Sequence, residues 1–263
     1  MITLTALAIG YQTKKGAKVV ADNLNASISR GELTCLLGRN GIGKSTLLRT
    51  LSGFQPKLSG SITIAGRELD SYTDRELARM VGVVLTERPN IEQMTVREMV
   101  SLGRSPYTGF WGRLNAADER ITDEALRLVD IASLSHRLVQ TLSDGERQKV
   151  MIAKALAQQT PVVFLDEPTA FLDYPSKVEM LLLLRRISRE AQKTVFLSTH
   201  DLELALQVAD RLWLMEPGCL HLGTPRQLAD NGVLSTFVER TPGVTFNAAN
   251  LSVSVEACYE LKI

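Results

Sequence analysis

An α/β fold, with a parallel sheet covered by helices, is predicted by the alternation of short apolar segments with helical segments along this 263-residue chain. The clearest apolar runs are LTCLL (33–37), VVFLD (162–166) and TVFLS (194–198), and each has the length of a buried strand. The pattern across 88–159 is mainly helical, which predicts an inserted α-helical part. Residues 2–28 contain two strand-like segments, which predict an N-terminal β portion.

The length allows one large domain or two modest ones. We expect a single domain, with a core at approximately 1–87 and 160–225 and a helical subdomain at approximately 88–159. The C-terminal extension, approximately 226–263, is strand-like in places, and its pattern indicates no role.

Composition excludes several classes of function. The formal net charge of +1 argues against a general affinity for nucleic acid, which needs a dense basic face. No apolar run approaches the roughly 20 residues that cross a bilayer, and 2–9 lacks the basic leader of a signal peptide. Cys35, Cys219 and Cys258 have no paired spacing for a disulfide framework or a zinc site. We therefore expect a reducing cytoplasm, and any membrane role through a partner.

A phosphate-binding loop is predicted at GRNGIGKST (38–46), which matches G-x-x-x-x-G-K-[ST] between a predicted strand and a predicted helix. Its backbone N–H groups and the helix N-terminus would face phosphate oxygens. Lys44 would reach the β- and γ-phosphates, a charge pair of about 4 kcal/mol at an effective dielectric near 20, before desolvation. Accidental agreement at five positions in a glycine-rich turn is the weaker alternative. The predicted nucleotide-binding residues are Gly38, Asn40, Gly41, Gly43, Lys44, Ser45 and Thr46.

Two carboxylates end the strand at 162–166. In a P-loop enzyme one acid holds Mg²⁺ together with the loop hydroxyl, here Ser45, and another group orients the attacking water. Asp166 fits the first role and Glu167 the second, although both could instead cap the next segment. His200, at the end of the strand TVFLSTH (194–200), could hydrogen-bond a γ-phosphate oxygen. The predicted catalytic residues are Lys44, Glu167 and His200.

A second anion cradle is predicted at LSDGE (142–146). Ser143 and Glu146 form a capping box, which by itself explains a helix start. Gly145 in the first turn costs up to about 1 kcal/mol relative to alanine, which indicates that something approaches the backbone there. Because Lys44 already belongs to a complete phosphate site, we expect this cradle to serve the ATP of another subunit.

These motifs occur together in one order: 38–46, 142–146, 162–167, FLD at 171–173, and His200. To about residue 225 the chain resembles the nucleotide-binding subunit of an ATP-binding cassette (ABC) transporter. The resemblance implies a P-loop NTPase (RecA-like) core with an inserted α-helical subdomain and an N-terminal antiparallel β portion. It also implies an ATPase that uses ATP and Mg²⁺ and pairs head to tail with a second copy of itself.

In such a dimer each ATP is sandwiched between the phosphate loop of one subunit and the signature helix of the other. The resemblance then places Ser143 and Gly145 on the partner's ATP, Asp173 across the dimer seam, and Tyr11 on the adenine ring. For Tyr11, a strand-end tyrosine that only packs is the common alternative.

The chain departs from the family pattern twice. Asp144 stands where a glycine is usual, and we expect its side chain to point away from the γ-phosphate, which it would repel. Thr86, in VVLTERP (83–89), stands where a lid-loop glutamine normally faces Mg²⁺, so Thr86 is a third metal-site residue and Glu87 could compensate.

The stretch 103–115 carries Tyr107, Phe110 and Trp111 close together. Such aromatics are either interface anchors or internal packing of the helical subdomain. The stretch is similar to a loop of ATPase subunits that serve importers of ferric siderophores, haem and vitamin B12. This similarity implies membrane permease subunits, indirectly a substrate-binding protein, no nucleic acid partner, and a peripheral position on the cytoplasmic face of the inner membrane.

Three other classes of protein remain open. A soluble P-loop kinase would leave 142–146 and His200 without a role. A cytosolic ABC ATPase, such as an iron–sulfur assembly factor, would use the same residues without a permease. DNA-repair or translation ABC proteins usually carry long coiled-coil insertions or tandem cassettes, and the sequence has neither.

Overall fold

The structure, a computed structural model, describes residues 1–14, 16–86, 93–109 and 111–255. Its strands are β1 (Ile2–Thr13), β2 (Gly16–Ile28), β3 (Leu33–Gly38), β4 (Ser59–Ile64), β5 (Arg67–Glu68), β6 (Val81–Val84), β7 (Val162–Asp166), β8 (Thr194–Ser198), β9 (Arg211–Glu216), β10 (Cys219–Gly223), β11 (Val244–Asn247) and β12 (Ser252–Val255). Its α-helices are α1 (Lys44–Leu51), α2 (Asp74–Met80), α3 (Val96–Ser101), α4 (Ala116–Leu128), α5 (Asp144–Ala157), α6 (Tyr174–Glu190), α7 (Leu202–Val208), α8 (Pro225–Asp230) and α9 (Val233–Val238).

The central sheet has the strand order β10-β9-β3-β8-β7-β6. All neighbours from β9 to β6 are parallel, and β10 adds an antiparallel edge through its hairpin with β9. The carboxyl ends of β3, β7 and β8 therefore meet at one edge, where Asp166 pairs directly with Ser198. In open α/β sheets this edge is where ligands bind.

Alternate residues of the central strands fill two apolar clusters, one on each face of the sheet, because successive strand side chains point to opposite faces. Leu165 and Leu197 pack with α3 to α9. Their neighbours Phe164 and Phe196 pack with α1 and the N-terminal strands, where Phe196 also meets Trp213 edge to face at 4.9 Å. Helices and strands on both faces explain why these runs are wholly apolar.

The N-terminal strands form a separate antiparallel sheet in the order β2-β1-β4-β5. The predicted fold class is confirmed: an α/β core, an antiparallel N-terminal sheet and a helical insertion. β1 continues past Ile9 to Thr13 because its ladder with β2 also continues, as far as Thr13 opposite Gly16. Tyr11 is thus inside a strand and not at its end.

The helical part and the C-terminal extension share the apolar cluster of the core. Arg104 and Asp118, both buried, form an ion pair of 2.9 Å at the first turn of α4. Leu228, Leu234 and Phe246 of the extension are buried in the same cluster. The domain boundaries given above remain a prediction. Within the described residues, no helix is both long and apolar enough to cross a membrane.

Candidate active site

The loop at 38–46 joins β3 to α1 and leaves the first turn of that helix without a side-chain cap. Gly43 has φ +116°, and a Cβ there would lie 2.3 Å from Val20 Cγ1, so this position requires glycine. Lys44 is buried, and its Nζ donates to the carbonyl oxygen of Gly38 at 2.9 Å. The loop thus presents uncapped N–H groups beside a buried ammonium, an arrangement that suits phosphate.

Ser45 and Asp166 bring hard oxygen donors together at the end of β7. Asp166 is buried, and its Oδ1 accepts hydrogen bonds from Ser45 Oγ at 3.1 Å and from Ser198 Oγ at 2.6 Å. Adjacent ligands of an octahedral Mg²⁺ at about 2.0–2.1 Å stand about 2.9 Å apart. The separation of Ser45 Oγ from Asp166 Oδ1 therefore fits Mg²⁺.

Glu167 turns out of the strand with φ +48°, which sends its side chain in a different direction from that of Asp166. Its N–H donates to Ser198 Oγ at 2.9 Å. Its carboxylate lies 3.8 Å from Lys44 Nζ and 3.3 Å from His200 Nδ1. The structure thus brings Lys44, Glu167 and His200 together.

Two further predicted residues lie at the edges of this group. The Thr86 hydroxyl donates to the backbone carbonyl oxygen of Asp166 at 2.7 Å, so its proton is already committed. Glu87 lies outside the described residues. Tyr11 is 47% exposed, and its hydroxyl lies 2.8 Å from Thr46 Oγ1, which places the ring beside the phosphate loop. Stacking of Tyr11 on adenine remains a prediction.

A cavity of about 820 Å³ opens over the phosphate loop. It is lined by Tyr11, Lys18, Val19, Val20, Asn40, Gly41, Ile42, Gly43, Lys44, Ser45, Thr46, Glu167, Pro217 and Gly218. Sequence reasoning missed the walls from β2 and from the β9–β10 turn, since only tertiary packing brings them here. It also missed Ser198, for which the polar end of an apolar strand was a usable signal.

The signature stretch forms the N-terminus of α5, with Ser143 as the N-cap residue. Ser143 Oγ lies 2.9 Å from Glu146 Oε2, and the Ser143 N–H donates to the same carboxylate at 2.8 Å. That backbone hydrogen bond, followed by the hydroxyl bond, holds the pKa of Glu146 below its usual value. The capping box predicted at this site is therefore present.

Within the described chain, neither the backbone conformation nor the space around residue 145 requires a glycine. It lies in the right-handed helix α5, and a Cβ built on it would meet only Leu172 Cδ2, at an ordinary 3.9 Å. Among the described residues that line the nucleotide cavity, neither Ser143 nor Gly145 occurs. The role of Gly145 at the ATP of another subunit remains a prediction.

Asp144 and Asp173 are the remaining acids of the predicted signature and seam. Asp144 is the first residue of α5 and is exposed. Asp173 is the N-cap of α6, where its Oδ1 accepts from the Ser176 N–H at 3.2 Å, and hydrogen bonds from Ser176 lower its pKa. Its role across a dimer seam remains a prediction.

Comparison with known proteins shows the family of this chain. Residues 21–170 match the family model described as "ABC transporter". The chain belongs to this family. This assignment, with the import ATP-binding relatives, gives it an ATP-dependent ATPase activity in transport.

Several relatives of this ABC ATPase cover most of its chain. It is 42% identical to an uncharacterised ABC transporter ATP-binding protein of Methanocaldococcus jannaschii, over 82% of this chain and 73% of the relative. It is 36% identical to the achromobactin transport ATP-binding protein of Dickeya dadantii, over 89% and 86%. It is 32% identical to a cobalamin import ATP-binding protein of Halobacterium salinarum, over 96% and 63%.

Solved structures of ABC cassettes share the fold. An inward-facing putative metal-chelate type ABC transporter superposes with a TM-score of 0.76 at 26% identity, covering 90% of this chain and 88% of that one. A dimeric bacterial ABC transporter cassette superposes with a TM-score of 0.74 at 26% identity, covering 86% and 99%.

Proposed function

We propose that this ATPase powers an ABC importer that takes up an iron complex (a siderophore or haem) or vitamin B12 through a separate permease. Relatives named for achromobactin transport and cobalamin import support the cargo, and the observation that supports the ATP-driven dimer is the division of the site. One half is built around the buried Lys44, whereas the other half, around Gly145, has open space above its backbone.

The first part of the proposal is a head-to-tail dimer. The phosphate loop has contacts for one side of a triphosphate, and its cavity is open on the other side. A second copy that presents Ser143, Gly145 and Asp173 would close it. To donate to the γ-phosphate, the Ser143 hydroxyl must leave Glu146, so closure exchanges one hydrogen bond for another. Relatives with dimeric structures support this arrangement.

The second part concerns the roles of the residues. Ser45 and Asp166 would hold Mg²⁺, which when bound neutralises charge on the phosphate oxygens. Lys44 would leave the Gly38 carbonyl for the β- and γ-phosphates. Glu167 would orient the attacking water and accept its proton, and His200 would hydrogen-bond the γ-phosphate. Thr86, with its proton committed to Asp166, would offer Mg²⁺ or water only its oxygen lone pairs.

The third part is the permease. A groove of about 540 Å³ between the core and the helical subdomain is flanked by Phe54, 63% exposed, and Leu102, 45% exposed. Trp111 nearby in sequence is 82% exposed, whereas the Tyr107 hydroxyl donates to Gln158 inside the protein. Phe110 lies outside the described residues. We propose that a cytoplasmic segment of the permease binds in this groove, so that the ATPase lies on the cytoplasmic face of the membrane. The substrate-binding protein would contact the permease and not the ATPase. We expect no nucleic acid partner.

Dimer formation is tested with Glu167→Gln. This variant should bind ATP, release phosphate at least about 100-fold more slowly, and accumulate as an ATP-bound dimer in light scattering. Wild-type activity per molecule should rise with protein concentration. Undiminished turnover in the variant removes Glu167 from its role, and activity independent of dilution removes the dimer.

The permease is tested separately by co-purification from membranes. Phe54→Ser should reduce recovery of the membrane protein. Leu182→Ser, at an exposed apolar residue that does not line this groove, should not. Retention on nucleic acid or on an iron–sulfur scaffold instead would favour a cytosolic ABC ATPase. If the permease is recovered, uptake of siderophores, haem and vitamin B12 by membranes that contain the complex would identify the cargo.

A further inference from the structure

A second group of ligating side chains lies on the β9–β10 hairpin. Glu216, Cys219 and His221 place one ligand atom each within 4.8 Å of one another. We propose that this group binds one divalent first-row transition-metal ion, such as Zn²⁺, through a carboxylate oxygen, a thiolate and an imidazole nitrogen.

The hairpin places all three side chains on one face. Glu216 is directly opposite Cys219 in the strand register, and His221 follows Cys219 by two residues. The connection is Pro217-Gly218, and Gly218 has φ +78°, as the third position of a type II turn requires. The tight turn therefore fixes the spacing of the three ligands.

The distances fit a tetrahedral ion. His221 Nε2 lies 3.4 Å from Cys219 Sγ and 3.2 Å from Glu216 Oε2. With metal bonds of about 2.3 Å to sulfur and about 2.0–2.2 Å to nitrogen and oxygen, neighbouring tetrahedral ligands stand about 3.6 Å (S to N) and about 3.3 Å (N to O) apart. These two distances are within a few tenths of an ångström of the tetrahedral values, and the third pair of ligand atoms lies within 4.8 Å.

One hydrogen atom on His221 Nε2 cannot form good hydrogen bonds to both Cys219 and Glu216. Both the thiol and the carboxylate converge on the same atom, His221 Nε2. A protonated Nε2 can point its one hydrogen well at only one partner, and an unprotonated Nε2 turns its lone pair toward the Glu216 carboxylate. A cation at the centre satisfies all three donors at once.

The surroundings favour a preformed and accessible site. The Glu216 side chain is only 9% exposed, and Arg240 Nη1 lies 2.6 Å from its Oε1, so Oε2 is the oxygen left to face His221. Arg240 thus forms an ion pair with this carboxylate from outside the group. Cys219 is exposed, which gives an ion a path of entry and leaves a fourth position for water.

The test titrates the nucleotide-free protein with Zn²⁺ in excess Mg²⁺, which competes for the oxygen donors of Ser45 and Asp166. Parallel samples receive Co²⁺, whose thiolate charge-transfer absorption reports a metal–sulfur bond. Every sample carries Cys258→Ser, and Cys35 is fully buried, so Cys219 is the thiol under test.

We expect one Zn²⁺ per chain and a thiolate–Co²⁺ band. Cys219→Ser should abolish the band and weaken Zn²⁺ binding by at least about tenfold, and His221→Gln should weaken it similarly. His136→Gln, at an exposed histidine elsewhere, should change neither. Substitution of the exposed Cys219 should leave thermal unfolding without metal unchanged. Absence of Zn²⁺ binding, or binding that survives both substitutions, would overturn the proposal.

Discussion

The starts of α1 and α5 are both predicted to contact phosphate, but the structure satisfies their first turns in opposite ways. Gly43, the N-cap of α1, supplies no side-chain hydrogen bond, and the loop before it is packed against Val20. Ser143, the N-cap of α5, exchanges hydrogen bonds with Glu146 and is exposed. The first end leaves its N–H donors for a phosphate bound by the same subunit, whereas the second is already capped within the chain. Its contact with the ATP of another subunit remains a prediction.

Replacing Lys44 is the strongest way to sharpen this contrast. Lys44→Ala should weaken ATP binding by roughly 100-fold to 1,000-fold, because a charge pair of about 4 kcal/mol is lost, less its desolvation. Equilibrium binding of a fluorescent ATP analogue to the monomer measures this. Lys18→Ala is the control, since Lys18 is exposed and lines the same cavity. An equal loss in the control would mean that general positive charge, and not the buried loop, binds ATP.

The other helix start should show the opposite division of effects. Ser143→Arg should leave ATP binding by the monomer within about twofold but reduce turnover by roughly 100-fold, because a donor to the developing charge is replaced by an obstructing side chain. Phosphate release and ATP binding are measured on the same preparation.

Two variants make this result interpretable. Ser143→Asp keeps a good N-cap yet should also lose turnover, since it repels the γ-phosphate. Ser133→Arg, at an exposed serine of the same subdomain, should behave as wild type. Weak ATP binding by the Ser143→Arg monomer would place both half-sites in one subunit and contradict the comparison.

Gly145→Ala separates stability from activity. Because its Cβ would meet only Leu172 at 3.9 Å, the isolated protein should gain up to about 1 kcal/mol of stability from helix propensity. In a closed dimer the same methyl group would crowd the nucleotide, at a cost of about 1–3 kcal/mol, so turnover should fall roughly tenfold or more. Denaturant unfolding and phosphate release measure the two effects. Unchanged turnover would mean that nothing approaches this backbone.

The smallest effect concerns the pH dependence of the α5 cap. The pKa of Glu146 in the folded protein is below its ordinary value of 4.5. The charged carboxylate therefore contributes its full stabilisation of the folded state above pH 4.5, and this contribution is lost as the pH falls through the pKa of the folded protein. Relative to Glu146→Gln, the wild type should be more stable by about 0.3–1 kcal/mol at pH 7, and the difference should shrink below pH 4.5. Unfolding by urea at several pH values checks this, and a difference independent of pH would mean that the carboxylate charge does not contribute to the cap.

Local patterns in the sequence determined the elements and one half of the site. Apolar runs of strand length predicted β3, β7 and β8, and the capping box predicted the start of α5, because these features depend on residues close in the chain. The phosphate loop and the acidic strand end were predicted for the same reason.

Only the tertiary structure decided which residues, distant in sequence, line the same cavity or lie in the same group of side chains. Ser198 binds Asp166 because β7 and β8 are parallel neighbours, and Thr86 is committed to a carbonyl that no spacing rule identifies. Paired cysteine spacing does not reveal the group at Cys219, because the neighbouring side chains, Glu216 and His221, are of other types and meet it through the register of a hairpin. Periodicity fixes the face of each segment, but the order of strands in the sheet fixes which faces meet.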